Sequence, residues 1–424
     1  MPNFAHWSDG LAPGHGRDAR GILTIGGIAA DELAARFGTP ALFIDLRVLD
    51  AALDEILDAA RAHGAGVSYA GKALLLAGLV RYLEARPIGI DVSSLGELVT
   101  AERAGFPAAR LTLHGAGKTL PELDAALDGR AGRIVIDGID ELRALCARAN
   151  GRALDLLLRL NTGIEAHTHE FVRTAGDDSK FGLAPHELDT ALALLREVPA
   201  LRLRGVHAHV GSQIYDVAPF RANARALNAT LARLRERGFA QADTLVIGGG
   251  FGVRMHPDAD DESVDVAAVL ARVVDALPSD IRVEIEPGRA LIALAGTSLY
   301  RVLAIKRFDR RRYAIVDGSM ADNPRPALYG AYHHVTPVRR PEGALQPTTL
   351  CGRSCENDRL VEAMLPADLR AGDLLAVCAT GAYTYSMASN YNRFMRPPVA
   401  ALGADGIELW ARRETLDDVL HADL

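Results

Sequence analysis

The chain has 424 residues, 49% of them hydrophobic, and a net charge of −7 with no basic block. It can bury a large core, and its charge excludes nucleic acid or an anionic membrane as the main partner. Four cysteines (Cys146, Cys351, Cys355, Cys378) without a C-x-x-C pair are too few for a disulfide framework. They fit reduced thiols in a cytoplasmic protein. The opening Met1-Pro2-Asn3-Phe4-Ala5-His6 lacks the basic-then-apolar order of a signal peptide, and no apolar run approaches the ~20 residues of a membrane span.

The first 40 residues fit no clean pattern, although Ile22–Ile25 can add a strand to a sheet formed later in the chain. From residue 41 to 292 the texture is regular. Short apolar runs predict strands at Gly66–Ala70, Ile88–Val92, Leu111–His114, Arg133–Asp137, Leu154–Leu160, Leu203–His209, Thr244–Gly248 and Arg282–Glu286. Apolar spacing of three and four predicts helices over Leu74–Glu84, Leu95–Ala104, Leu120–Leu127, Ile139–Ala149, Pro185–Leu195, Pro219–Arg237 and Val264–Leu277. Strand–helix alternation of this length means parallel strands joined by crossover helices, and eight such units close a (β/α)8, or TIM, barrel. An open parallel sheet is the alternative. After about residue 292 the helices stop. Ser298–Ile305, Arg312–Val316, Thr348–Gly352, Leu374–Cys378 and Gly406–Trp410 are short strands punctuated by Gly and Pro. Residues 293–424 therefore read as a second, mainly antiparallel β domain, with residues 1–40 joining it.

Barrel active sites lie at the C-terminal ends of the strands. Lys72 follows the first predicted strand, Asp91 and His114 end the second and third, His209 ends the sixth, Gly248-Gly249-Gly250 the seventh and Glu286 the eighth. The loops after strands seven and eight often bind phosphate, and glycine lets backbone N–H groups close on an anion. Taken alone, the glycine run is better explained by a tight turn. A carboxylate against a pyridine nitrogen keeps that nitrogen protonated, which makes the ring an electron sink. An amine, a carboxylate and a phosphate cradle on one rim are what pyridoxal phosphate needs.

Six motifs occur in one order: Tyr69-Ala70-Gly71-Lys72, His209-Val210-Gly211-Ser212-Gln213-Ile214, Gly248-Gly249-Gly250, Glu286-Pro287-Gly288-Arg289, Cys355-Glu356 and Gly381-Ala382-Tyr383. The series resembles the barrel-type pyridoxal-phosphate decarboxylases. It is most similar to their diaminopimelate branch, with the ornithine decarboxylases more distant. The resemblance runs from about residue 20 to the C-terminus. It implies that Lys72 holds pyridoxal 5'-phosphate as a Schiff base, that His209 stacks on the ring, and that Glu286 meets the ring nitrogen. Ser212, Gly249, Gly250 and the Pro287-Gly288-Arg289 backbone would hold the phosphate, with Tyr383 nearby. Cys355 would reach across a homodimer interface into the partner's site and return a proton. Glu356 would take a distal ammonium; Arg289, Arg325, Tyr329 and Tyr383 would take a distal carboxylate. Planar guanidinium forks suit that task. The implied reaction converts meso-diaminopimelate into L-lysine and CO₂.

Without that context, His209 reads as a core histidine, Cys355 as packing, Ala382-Tyr383-Thr384-Tyr385 as a half-buried strand and Arg325 as a surface residue. The match also has departures. Cys-Glu-Ser-Gly-Asp of the family is here Cys355-Glu356-Asn357-Asp358, one residue shorter, at the turn lining the distal end of the substrate. Ser94-Leu95-Gly96-Glu97-Leu98 and His114-Gly115-Ala116 also differ from the family's Ser-Gly-Gly-Glu-Leu and His-Gly-Asn. The rival substrates are ornithine, lysine, a D-amino acid or a precursor in a specialised pathway. The rival classes are a non-catalytic homologue and a metal-dependent hydrolase using His167, His169 and His209. The expectation is no metal, because no further ligand accompanies His167 and His169 at metal spacing. That run, with Lys180-Phe181-Gly182-Leu183, reads instead as a loop near the site.

Overall fold

The computed structural model describes residues 7–8, 10–164, 179–259 and 261–424. It divides into two compact units. One is made from the described residues among 54–253 and 261–290, the other from those among 1–53, 254–260 and 291–424.

The first unit is a closed barrel of eight parallel strands: Gly66–Ala70, Gly89–Val92, Leu111–Leu113, Arg133–Ile136, Leu154–Arg159, Leu201–His207, Thr244–Val246 and Arg282–Ile285. The eighth pairs with the first, Ile285 opposite Val67, which closes the ring. Helices follow most strands, and the sequence sets their starts. The Ser94 side chain accepts from Glu97 N at 3.2 Å while the Glu97 carboxylate accepts from Ser93 N at 2.6 Å, fixing the first turn of Leu95–Arg103. Asp216 and Asp265 do the same for Val217–Glu236 and Val266–Val274.

Side chains two apart on a strand share a face. Glu284 and Glu286, and Thr112 and His114, are such pairs, and they meet across the barrel interior in two layers. In the lower layer Arg133 donates to Thr112 Oγ1 at 2.9 Å and to Glu284 Oε1 at 2.9 Å, bridging opposite walls of the ring. Val135, Leu157 and Val246 pack as a small apolar cluster.

The second unit is a mixed, mainly antiparallel sheet. Its main path runs Arg359–Pro366, Leu345–Cys351, Arg312–Val316, Gly296–Arg307, Ala41–Asp45, Val399–Gly403, Gly406–Ala411. Leu374–Cys378 pairs with both Gly296–Arg307 and Val335–Pro337. The barrel was expected to begin at residue 41. Instead Ala41–Asp45 lies in this sheet, antiparallel to Gly296–Leu299 and parallel to Val399–Leu402. Its run Ala-Leu-Phe-Ile is buried on both faces, which a central strand requires. Leu23–Ile25 sits in a small three-stranded sheet, and Leu23 N donates to Val338 O. Phe43, Leu23, Ile25 and Leu299 share one buried core; Tyr300, Val316, Leu350 and Leu375 share another. Among the described residues, no helix is long and apolar enough to cross a membrane.

Candidate active site

At the barrel mouth Lys72 lies in a single 3-10 turn, Gly71–Ala73, directly after the first strand. Its neighbours Gly71 and Ala73 are buried while Lys72 itself is exposed. Gly71 is required there, because a Cβ would stand 2.7 Å from the Asp91 carbonyl oxygen. The sixth strand ends at His207 rather than His209. His209 lies two residues beyond, where its Nδ1 accepts from Gly249 N at 3.3 Å. That bond leaves Nε2 to carry the proton. Burial first, then the charges of Lys72 and Arg159, hold the His209 pKa well below 6.5, so the ring is neutral.

The loops after strands six and seven are laced together. Ile214 N donates to Gly250 O and Gly252 N to Ile214 O, both at 2.9 Å. Ser212 lies in the first of these loops. A Cβ on Gly249 would sit 2.0 Å from the Glu286 carbonyl oxygen, and one on Gly250 would sit 2.0 Å from that of Gly211. Only glycine allows three loop backbones to approach so closely. Pro287 O accepts from Ala70 N at 3.1 Å, tying the turn that follows Glu286 to the end of the first strand. Gly288 and the buried Arg289 come next.

Beneath this rim is a buried polar network. Glu286 Oε2 accepts from His207 Nε2 at 2.9 Å. His114 Nε2 stands 3.3 Å from Glu286 Oε1 and 3.5 Å from Asp91 Oδ1. Asp91 Oδ1 also accepts from Ser68 Oγ at 2.6 Å. Burial alone would lower the pKa of His114, but the Glu286 and Asp91 carboxylates reverse this and hold it at about 9. Burial lowers His207 to about 4, with Glu286 only partly opposing. Glu286 itself stays well below 4.5: burial would raise it, but His207 and His114 outweigh that. Asp91 moves upward, chiefly through burial and then the nearby Glu286 charge. His114, His207 and Glu286 place one potential ligand atom each within 4.8 Å of one another. His207 and Glu286 are joined by a hydrogen bond and His114 stands at ion-pair distance, and we read the three as a charge network, not as metal ligands.

The sheet unit carries the other expected residues. Arg325 is buried at the start of the helix Arg325–Tyr329, with its guanidinium 5.4 Å from the Tyr329 ring and 5.5 Å from the Tyr383 ring. These three are therefore one cluster. Tyr383 is not in a strand. It occupies a turn with φ of 60°, just before the 3-10 turn Tyr385–Met387. Cys355 and Glu356 are exposed. Cys355 N donates to Asn392 Oδ1 at 3.0 Å, and Tyr391 Oη donates to Glu356 Oε1 at 2.7 Å. The shortened turn closes on buried Asp358, whose carboxylate accepts from Met320 N at 2.8 Å and Ser354 Oγ at 2.6 Å. His167 and His169 lie outside the described residues.

Residues 52–293 match the family model described as "Pyridoxal-dependent decarboxylase, pyridoxal binding domain". A diaminopimelate decarboxylase of Actinosynnema pretiosum subsp. auranticum is 43% identical, across 98% of this chain and 95% of its own. The chain belongs to the pyridoxal-dependent decarboxylases. Solved structures agree. A diaminopimelate decarboxylase from M. jannaschii superposes with a TM-score of 0.89 at 28% identity, covering 97% of this chain and 98% of that one. One from Helicobacter pylori, complexed with L-lysine, has a TM-score of 0.86 at 28% identity, covering 92% and 98%.

Membership in the decarboxylase family brings pyridoxal phosphate as cofactor, and the barrel fits it on its own terms. Glu286 Oε1 is buried and makes no hydrogen bond; beside the ion-pair contact with His114 Nε2 at 3.3 Å, a carboxylate oxygen keeps a lone pair for a ring N–H. The glycine loops form a cradle that a Cβ would fill. Lys72 supplies an exposed amine on the same unit. The sequence reading missed His207 as the hydrogen-bond partner of Glu286. Its signal was available: His207 and His209 are two apart, so a strand puts both on one face.

Proposed function

We propose that the protein is a diaminopimelate decarboxylase, releasing CO₂ from meso-diaminopimelate to give L-lysine. The observation that carries this is Glu286, an acid kept ionised inside the barrel with one oxygen open, on the same unit as the exposed amine of Lys72. The substrate follows from the name of the 43%-identical relative and from the bound L-lysine of the H. pylori enzyme.

When bound, pyridoxal phosphate supplies an electron-poor ring that accepts the electron pair of the breaking bond to the carboxylate. Lys72 would hold the cofactor covalently through its amine. Glu286 would keep a proton on the ring nitrogen. Neutral His209 would pack on the ring. Ser212, Gly249, Gly250 and the Pro287-Gly288-Arg289 turn hold the phosphate, with Tyr383. Arg289, Arg325, Tyr329 and Tyr383 orient the distal carboxylate, and Glu356 takes the distal ammonium. The Cys355 thiol, from the partner chain of a homodimer, protonates the α-carbon. Exposure of both Cys355 and Glu356 in the single chain supports a role that a second chain completes. Four free cysteines suit a reducing, cytoplasmic setting.

Two experiments test the reading. Borohydride reduction followed by mass spectrometry should leave a phosphopyridoxyl group on Lys72; a label elsewhere, or none, removes the proposal. CO₂ release should be fastest with meso-diaminopimelate among that substrate, ornithine, lysine and D-amino acids. Preference for another member of the set would reassign the substrate and leave the chemistry in place.

A further inference from the structure

Glu286 does not stand alone inside the barrel. A second carboxylate, Asp91, faces the same histidine, and both acids are buried. Two carboxylates in one buried site cannot ordinarily both stay ionised; one takes up a proton. A compensating cation is needed, and the surrounding groups narrow the choice. Arg133 is engaged with Glu284, and Arg159 with Asp137 at 3.0 Å. His207 donates through Nε2 to Glu286, and its Nδ1 is buried without a partner, so it carries one proton and no charge. Lys72 is exposed at the rim, and Glu97 adds a further negative charge near His114. His114 is left, with Nε2 between the two carboxylates.

We propose that His114 is a positioning residue for Glu286: as an imidazolium it lets the Asp91 and Glu286 charges coexist, so that Glu286 meets the cofactor ring as a carboxylate. The proposal rests on the cofactor reading above. It assigns Asp91 a role as well. Anchored by Ser68, Asp91 shares the hold on the His114 proton. The charge sum favours this reading over simple packing, since a neutral side chain of similar size would fill the space and leave two acids competing for one proton.

The test uses the holoenzyme and reads cofactor retention. Wild type, His114→Asn, Asp91→Asn and the double variant are dialysed against cofactor-free buffer from pH 6 to 9, and bound cofactor is followed by its visible absorbance. Far-ultraviolet circular dichroism checks the fold. His114→Asn should weaken cofactor affinity about tenfold or more at pH 7, the equivalent of one unit of pKa, with the loss deepening as pH falls and Glu286 takes up a proton. Adding Asp91→Asn should restore affinity to within about threefold of wild type, because one carboxylate no longer needs a counter-charge. A structural role alone would show no such rescue. The proposal is overturned if His114→Asn holds cofactor as tightly as wild type across the range, or if the double variant is no better than the single. If His114→Asn fails to fold, the double variant decides: charge balance predicts that it folds and binds, and a purely steric role predicts that it too fails. A wild-type protein with no bound-cofactor band would sink the cofactor reading first, and this proposal with it.

Discussion

In the barrel, Asp91, His207 and Glu286 are buried around the half-buried His114, whereas in the sheet unit Cys355 and Glu356 are exposed, Cys355 held through its backbone N–H by the Asn392 side chain and Glu356 by one tyrosine. The two regions solve different problems. A cofactor needs one fixed charge pattern, and burial with paired ions fixes it, because each charge is worth more out of water. A substrate must enter and leave, and the exposed Cys355-Glu356 turn suits the proposed role in meeting it. The expectation is a separation of readouts: substitution of Lys72 or Glu286 should disturb the cofactor, and substitution of Cys355 or Arg325 should disturb turnover or KM with the cofactor intact.

Lys72→Ala should be the most severe change. Loss of the covalent anchor should cut kcat/KM by at least about 10⁴-fold, a fraction of a typical enzymatic acceleration, and should abolish the borohydride-fixed adduct. Cys355→Ala tests the other side. Its kcat should fall roughly 10²–10⁴-fold, as for loss of a positioned acid, while the absorbance of bound cofactor stays unchanged. A changed spectrum would break the separation. Glu286→Gln should lower kcat by roughly 10²–10³-fold, as for removal of one preorganised electrostatic contact, and should alter the cofactor spectrum that Cys355→Ala leaves alone. Arg325→Lys keeps the charge but loses the planar fork. KM for meso-diaminopimelate should rise about 10–100-fold, the cost of roughly 1.5–3 kcal/mol for a charged hydrogen bond, with little change in kcat.

The smallest effect concerns stability. Asp322 is half-buried in the sheet unit, accepting from Tyr300 Oη and from Ser319 N. Burial raises its pKa to about 7; the two hydrogen bonds pull it down and the charges of Asp358 and Asp317 push it up. The folded value exceeds the unfolded one, so the folded state binds the proton more tightly, and stability should fall as pH rises from about 4 to about 7. In Asp322→Asn that fall should flatten. Thermal melts at pH 5 and pH 8 should show the difference moving in the variant's favour at the higher pH; equal slopes for the two proteins would sink this account.

The barrel was legible because its strands are short apolar runs, several of them followed by polar or glycine residues, and because neighbours in sequence are neighbours in space. Leu120–Leu127 and Ile139–Ala149 appear as helices with the predicted bounds. The sheet unit was harder. Ala41–Asp45 pairs only with segments some hundreds of residues later, so nothing nearby in sequence marks it as a strand. Arg359–Pro366 begins with an arginine and carries Glu362 in its middle, which dilutes its apolar signal. Val399–Gly403 is almost entirely buried, so it lacks the alternation of a half-exposed strand. In the candidate site, individual residues could be named from their order along the chain. Their grouping could not: the Arg325–Tyr329–Tyr383 cluster and the two-sided contact of His114 depend on how turns fold back, which local spacing does not encode.

The placement of Ala41–Asp45 has a consequence for synthesis. This strand leaves the ribosome early, yet both of its sheet partners emerge after the whole barrel. At about 5–20 residues per second, that leaves on the order of tens of seconds during which an apolar edge has no mate. A nascent chain arrested before Val399 would carry that edge indefinitely, an adhesive stretch for chaperones or for other unfinished copies.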